Sequence, residues 1–494
     1  MMDVEQKDGS EQNHSVADFN RLVSQYWEKP DAERHMIGAR AEIDGILASM
    51  TDPDREAFLW ESIRTQIIDG SRRAVEILAS PHVSGVFKRI SSLTAEQLAA
   101  LPYNETQTLN WFDDRDKLRD GLVTVSLDLF DPRSSQQSSR SFDAYPYNNL
   151  QLLDNPDMSH LCANLGHDVN AIPAFSNFAM NLAVYAESNE AKRRQRDQIE
   201  PGNIGMGVRI FSGLHRGASW MFEAYANMAE GNFPEGNANL TEVLQTVADE
   251  AAARAFGNNR ARALNYQNVT YRNPYLDDPK KTPISEFTID IHIAPDLTIP
   301  GNESGLHLLF YQFVKNTVVM FQDENTRVDK PAVAITAARC TANGEPCIAV
   351  RMSDNGPGLD FAAILRSKQK LLQEDFDHLT DAEKKIAGDW TSLDLRLFDI
   401  VNFIFERRVS GSARAGMPHS GIGMTLAKGL VESHGGTIWG TNIAADIGAK
   451  FLILLDPSGN GSLRNAVPEL YRTDTVPAQL LTDIDRQLTN TEKR

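Results

Sequence analysis

Two apolar runs, VAITAAR and CIAVRMS, flank an Asn343-Gly344 pair, and the second run leads straight into Asp354-Asn-Gly-Pro-Gly358. Asn-Gly supplies the two positive-φ positions of a tight hairpin turn, so the runs read as paired strands. Around this hairpin, strands and helices alternate. FTIDIHI (287–293) is apolar at every second place, as a half-buried strand is. SGLHLLFYQFVKNTVVMF reads as a helix, TLAKGLVESHG as a helix ending in glycines, and GTIWGTN and KFLILLD as closing strands. This order predicts an α/β sandwich, a mixed sheet covered by helices on one face. The residues after Asp456 are polar and lack a clear pattern.

A chain of 494 residues exceeds one ordinary domain. The reading is multidomain α+β, with five parts. Residues 1–15 are polar and read as disordered. Residues 16–150 form a mainly helical region of unknown role: apolar residues recur at steps of three and four through DFNRLVSQYW, ERHMIGARAEIDGILASM and DREAFLWESIRTQIIDGSRRAVEIL, and LVTVSLDL (122–129) is strand-like. Residues 155–235 read as a helical hairpin. Its first helix (159–187) carries Leu161, Leu165, Val169, Ile172, Phe175, Phe178, Leu182 and Tyr185 on one stripe. Its second carries Met206, Ile210, Leu214, Ala218, Met221, Tyr225 and Met228, although Gly205, Gly207, Gly213 and Gly217 weaken it by local propensity. Such a hairpin buries little alone, so pairing with a second copy, a homodimer, is expected. Residues 240–457 hold the sandwich, and 458–494 form a polar tail.

Composition excludes several function classes. The charge sum is 49 − 67 = −18, which disfavours a nucleic-acid backbone as partner. Cys162, Cys340 and Cys347 are too few and too scattered for a disulfide framework or a zinc cluster. The first residues show no apolar signal-peptide core, and no apolar run is long enough to span a bilayer. A soluble, cytoplasmic protein without membrane insertion is expected.

Three segments of the sandwich point to nucleotide chemistry. A carboxylate fixed at a strand end, Asp354, can accept a hydrogen bond from the exocyclic amine of adenine and would reject the guanine carbonyl. Gly356 and Gly358 let backbone approach a flat base. Gly421-Ile422-Gly423-Met424 precedes a helix, where backbone N–H groups suit phosphate oxygens. Asn316, one helical turn after Gln312, offers an amide oxygen of the kind magnesium takes. Singly, each has a bland reading as a turn, a helix entrance or a solvated amide. In this order they resemble the N, G1 and G2 boxes of the GHKL (Bergerat-type) ATPase superfamily, and most closely the catalytic domain of histidine kinases. The resemblance runs from about Leu240 to Asp456 and includes IFERR, an F box at Phe405, and the ESHGGTIWG…GAKFLILLD ending.

The resemblance implies ATP and Mg2+ as cofactors. Asn316 would ligate magnesium, Asp354 would read adenine, Gly356 and Gly358 would flank the base, and Gln312 and Gly421–Met424 would complete the pocket. Residues 359–420 would hold a long, charged lid. Three positions depart from the pattern: Gln312 replaces the usual Asn or Glu, Val319 a frequent Lys, and Thr425 the last glycine of the G2 run.

His167 in LGHDVNAIPAF lies on the first hairpin helix, where Leu165, Val169 and Ile172 turn inward and leave His167 and Asp168 on the flank. A neutral imidazole is a nucleophile near neutral pH, and an adjacent carboxylate can orient it. The pair resembles the start of the histidine-kinase H box. By that resemblance His167 takes the γ-phosphoryl group, Asp168 acts as base, and the phosphoryl group passes to an aspartate on a response-regulator receiver domain. Pro173 stands one place late, and Ala171 replaces the Thr or Asn that supports phosphatase activity. His160, His215, His307 and His419 lack a suitably placed acidic neighbour, and His434 belongs to a helix end. Two other readings compete: a GHKL ATPase whose cycle drives conformational change without phosphohistidine, and a pseudokinase scaffold.

Overall fold

The computed structural model describes residues 15–27, 42, 45–46, 48–79, 201–230, 236–257, 263–266, 269–272, 286–321, 328, 330–374, 403–406, 423–444, 447–459, 461–471 and 478–492. The strand expected at 122–129, the helix expected at 159–187 with His167 and Asp168, and Gly421 and Ile422 lie outside the described residues.

The strands are β1 (Asn237–Asn239), β2 (Ala263–Tyr266), β3 (Val269–Arg272), β4 (Phe287–Ile293), β5 (Thr298–Pro300), β6 (Ala332–Ala342), β7 (Glu345–Asp354), β8 (Thr437–Ala444) and β9 (Ile447–Leu455). Seven make one sheet in the order β3-β2-β4-β6-β7-β9-β8, while β1 and β5 pair separately. The sheet is mixed: β4 runs parallel to β2 and β6, and the remaining pairs are antiparallel. Asn343 (φ 50°) and Gly344 (φ 89°) make the β6–β7 turn with Ala342 opposite Glu345, the geometry an Asn-Gly pair favours.

Because side chains alternate along a strand, β6, β7 and β9 feed two cores. Ile335, Val350 and Ile453 face helices α4 (Leu240–Gly257), α5 (Glu303–Phe321) and α7 (Gly423–Ser433), in one cluster with Leu244, Leu309 and Val431. Cys340, Cys347, Ala349, Leu452 and Leu454 face the other way. There the chain after Asp456, expected to be a patternless tail, folds back as a short helix α8 (Ser462–Ala466), a 3-10 turn (Pro468–Tyr471) and α9 (Ala478–Glu492). Leu480, Ile484 and Leu488 of α9 repeat every fourth residue and are buried against those strands. The sheet is therefore covered on both faces, not one. Burial pushes the Cys340 thiol up to about 11 and the Cys347 thiol up to about 12, so both pack as small apolar groups.

The second hairpin helix is present as α3 (Pro201–Glu230), and its glycines do not interrupt it. Gly213 and Gly217, one turn apart, meet α4. A Cβ on Gly213 would stand 2.5 Å from the Asp249 Cβ, and one on Gly217 would collide with the Glu250 carboxylate. Close approach to a neighbour outweighs the propensity cost of about 1 kcal/mol per glycine. On another side α3 packs against α2 (Asp52–Ala79), which also meets α1 (Val16–Trp27). Phe19 of α1 and Phe58 of α2 meet edge to face at 5.2 Å, and Phe19 belongs to the same core cluster as Phe222 of α3. Within the described residues, part of the α3 surface expected to await a second copy is thus covered by α2 of the same chain.

Candidate functional site

Helix α5 organises the site. Gln312, Asn316 and Met320 recur every fourth residue, with Thr317 beside them, so they form one face. Gln312 is buried, and its Oε1 stands 2.9 Å from where a Cβ on Gly423 would be. Asn316 is exposed and donates from Nδ2 to the Met424 sulfur at 3.6 Å. The Thr317 hydroxyl donates to Asp354 Oδ2 at 3.4 Å. The Met320 methyl fills the space a Cβ on Gly356 would need. One helix face thereby gathers the end of β7, its glycine turn and the start of α7. The expected pocket residues that are described, Gln312, Asn316, Asp354, Gly356, Gly358, Gly423 and Met424, lie around this face or on the turn beside it.

Asp354 is 5% exposed. Its Oδ1 accepts from the Gly356 N–H at 2.8 Å and from the Ala449 N–H at 3.2 Å. Burial pushes its carboxyl above the usual carboxylate range, and the bonds from Gly356, Ala449 and Thr317 pull only part of the way back. Oδ2, held by one long hydroxyl bond, keeps capacity for a further donor. β9 approaches closely: Gly448 (φ 61°) donates to the Gly356 carbonyl at 2.7 Å, and a Cβ there would strike the Asp354 carbonyl. Only glycine fits that place.

The pocket residues suit a purine nucleotide with magnesium. Glycine at 356 and 423 lets the Met320 and Gln312 side chains of α5 pack close to both backbones, Asp354 is a part-satisfied carboxylate, and the Asn316 amide oxygen is a hard donor of the kind magnesium takes. Phe405, the expected F box, is buried in a 3-10 turn (Phe403–Phe405). Its ring lies 6.4 Å from that of Phe451, which lies 4.8 Å from that of Phe313 on α5. Within the expected lid, α6 (Phe361–Glu374) is joined to this turn by Lys368 and Glu406 at 2.5 Å. Val319 is helical, its side chain outside the described residues, and Thr425 lies in the first turn of α7.

Sequence reading passed over Thr317 and Met320, although their spacing from Asn316 already placed them on its face. It also passed over Ala449, for which no local signal exists. His307 has an acidic neighbour after all: its Nε2 lies 2.8 Å from Glu250 Oε2, 57 residues away. The imidazole is fully buried between Trp220 and Tyr311, which closes it to phosphorylation.

The chain resembles histidine kinase catalytic domains. Among solved structures it is similar to a mycobacterial sensor histidine kinase, MprB, at 15% identity and TM-score 0.27 over 45% of this chain and 99% of that one. It is also similar to the nucleotide-free catalytic domain of the histidine kinase ThkA, at 13% identity and TM-score 0.26 over 46% and 99% of the two chains. No family model and no characterised protein matches the sequence. Among the described residues no helix is long and apolar enough to cross a membrane.

Proposed function

We propose that this chain is a cytoplasmic, homodimeric histidine kinase of a two-component pathway. The buried, part-satisfied carboxylate of Asp354 facing the Gly356 turn is the observation that carries the reading. Asp354 accepts from the adenine amine, Gly356 and Gly358 flank the base, and the glycine-rich stretch Gly421–Met424 takes the phosphates. Asn316 holds magnesium, which supplies charge neutralisation on the phosphates when bound. A ring nitrogen of His167 attacks the γ-phosphorus of ATP, the bond to the bridging oxygen breaks, and ADP leaves. Asp168 orients the imidazole and takes the proton from its other nitrogen. The phosphoryl group then passes to a receiver-domain aspartate.

Incubation with γ-labelled ATP and Mg2+ tests this in the wild type and in His167→Ala and His167→Gln. An acid-labile label that disappears in both variants is expected. A label surviving both would remove His167 as acceptor. ATP turnover with no protein label would point to a GHKL ATPase, and binding with neither would point to a pseudokinase scaffold.

A further inference from the structure

We propose that Asn442, on β8, is a positioning residue that clamps the base-facing turn; the inference rests on the ATP reading above. The ladder between β6 and β7 ends with Val333 opposite Asp354, and that between β7 and β9 with Ser353 opposite Lys450. Beyond Asp354 two backbone bonds continue, from the Asn355 N–H to the Ala332 carbonyl at 3.2 Å and from the Gly448 N–H to the Gly356 carbonyl at 2.7 Å, and side-chain amides hold the rest of the turn. Asn442 Oδ1 accepts from the Leu359 N–H at 2.7 Å, and its Nδ2 donates to the Leu359 carbonyl at 3.2 Å. This two-bond ring imitates a strand pairing. At the other end Asn355 Oδ1 accepts from the Ala332 N–H at 2.7 Å, and its Nδ2 donates to the Lys330 carbonyl at 2.7 Å. Gly356-Pro357-Gly358 lies between the two clamps, with the Gly356 carbonyl held as well by the Gly448 N–H.

The clamp also accounts for Gly358. Its φ is 78°, and a Cβ would stand 2.8 Å from Asn442 Oδ1, so the amide packs flat against the glycine backbone. Ordering glycine backbone costs more conformational entropy than ordering any other residue. A turn held in place before the ligand arrives spares binding that cost. Asp354 has holds of its own on β9 and α5, through Ala449 and Thr317, and meets the turn at the Gly356 N–H. Asn442 therefore controls the turn and not the amine-reading carboxylate.

The test uses the full chain with Asn442→Ala, Asn442→Asp and Asp354→Asn. Asn442→Asp keeps the acceptor for the Leu359 N–H and loses the donor. Hydrogen exchange over 355–361 is measured without nucleotide, and affinities for ADP and inosine diphosphate by calorimetry, with thermal melting to verify folding. Losing both bonds is expected to speed exchange at Leu359 and to weaken both nucleotides alike, by roughly tenfold. Asn442→Asp falls between, and carries the test if Asn442→Ala does not fold. Asp354→Asn instead changes the ratio of the two affinities and leaves exchange at Leu359 alone. Unchanged exchange at Leu359, or faster exchange with unchanged ADP affinity, overturns the role of Asn442. A wild type that binds no ADP overturns the ATP reading itself, whatever Leu359 does.

Discussion

Arg351 and Asp354 stand three residues apart on β7 and point to opposite faces of the sheet. On the α9 side, Arg351 donates to Asp485 at 2.7 Å and to Thr489 at 3.2 Å, and also pairs with Glu492. Lys450 adds a second cation on Asp485 at 3.0 Å. Burial raises the Asp485 and Glu492 carboxyls, yet their hydrogen bonds and these cations outweigh it and hold both below the usual range. On the α5 side, burial outweighs the three hydrogen bonds that Asp354 accepts, and its carboxyl stays raised. Acids on one face are completed by the protein itself. The acid on the other is left asking for a donor from outside, which is how binding sites commonly differ from structural ion pairs.

The largest test of this contrast is on the α9 face. Ile484→Ala removes a fully buried side chain from the α9 core and is expected to cost about 2–5 kcal/mol of stability. ADP affinity of the folded protein stays at the wild-type value. Chemical denaturation and a nucleotide titration check the two halves of that statement. A fall in affinity that follows the fall in stability would mean that the two faces act as one.

Asp354→Asn inverts the pattern. It deletes a charge that burial makes costly, so stability holds or rises. Replacing a charge-assisted acceptor with an amide should weaken ATP by about tenfold to a hundredfold, from a bond of about 1.5–3 kcal/mol. Equal affinities in wild type and variant would sink the assignment of Asp354 to adenine.

The same division explains what could be read in the sequence. The candidate pocket could be proposed from sequence because its chemistry is local: Asp354, the glycines and Asn316 each announce a backbone or ligand requirement within a few residues. The second face was not. Leu480, Ile484 and Leu488 do form a stripe, but one of three residues inside polar sequence, and the acids that anchor it lie 134 and 141 residues from Arg351. β1, β2, β3 and β5 are three or four residues long, too short for periodicity to show. α3 failed in the other direction: propensity spoke against Gly213 and Gly217, while the close neighbour that needs them, α4, was invisible. Asn442 and Leu359 lie 83 residues apart, and no pattern joins them.

The finest separation of the two faces is by pH. Asp354 has a folded-state pKa above its unfolded value. Its proton is taken up by the folded protein first, so its effect on stability becomes more favourable as pH falls through that raised pKa. Binding moves the other way, because the protonated acid is a poorer acceptor for the amine. Asp485 and Glu492 have depressed folded-state values, so the stability they contribute is present above their unfolded pKa values. It is lost only as pH falls through the lower folded ones. On acidification, adenine recognition should therefore weaken first, above the ordinary carboxylate range, while α9 stays docked until below it. The ratio of ADP affinity in wild type to that in Asp354→Asn removes the nucleotide's own titration, and it should decline toward one over the first interval. Hydrogen exchange in α9 should remain slow there and accelerate only over the second. Release of α9 before the ratio declines would reverse the order that the two sets of contacts require.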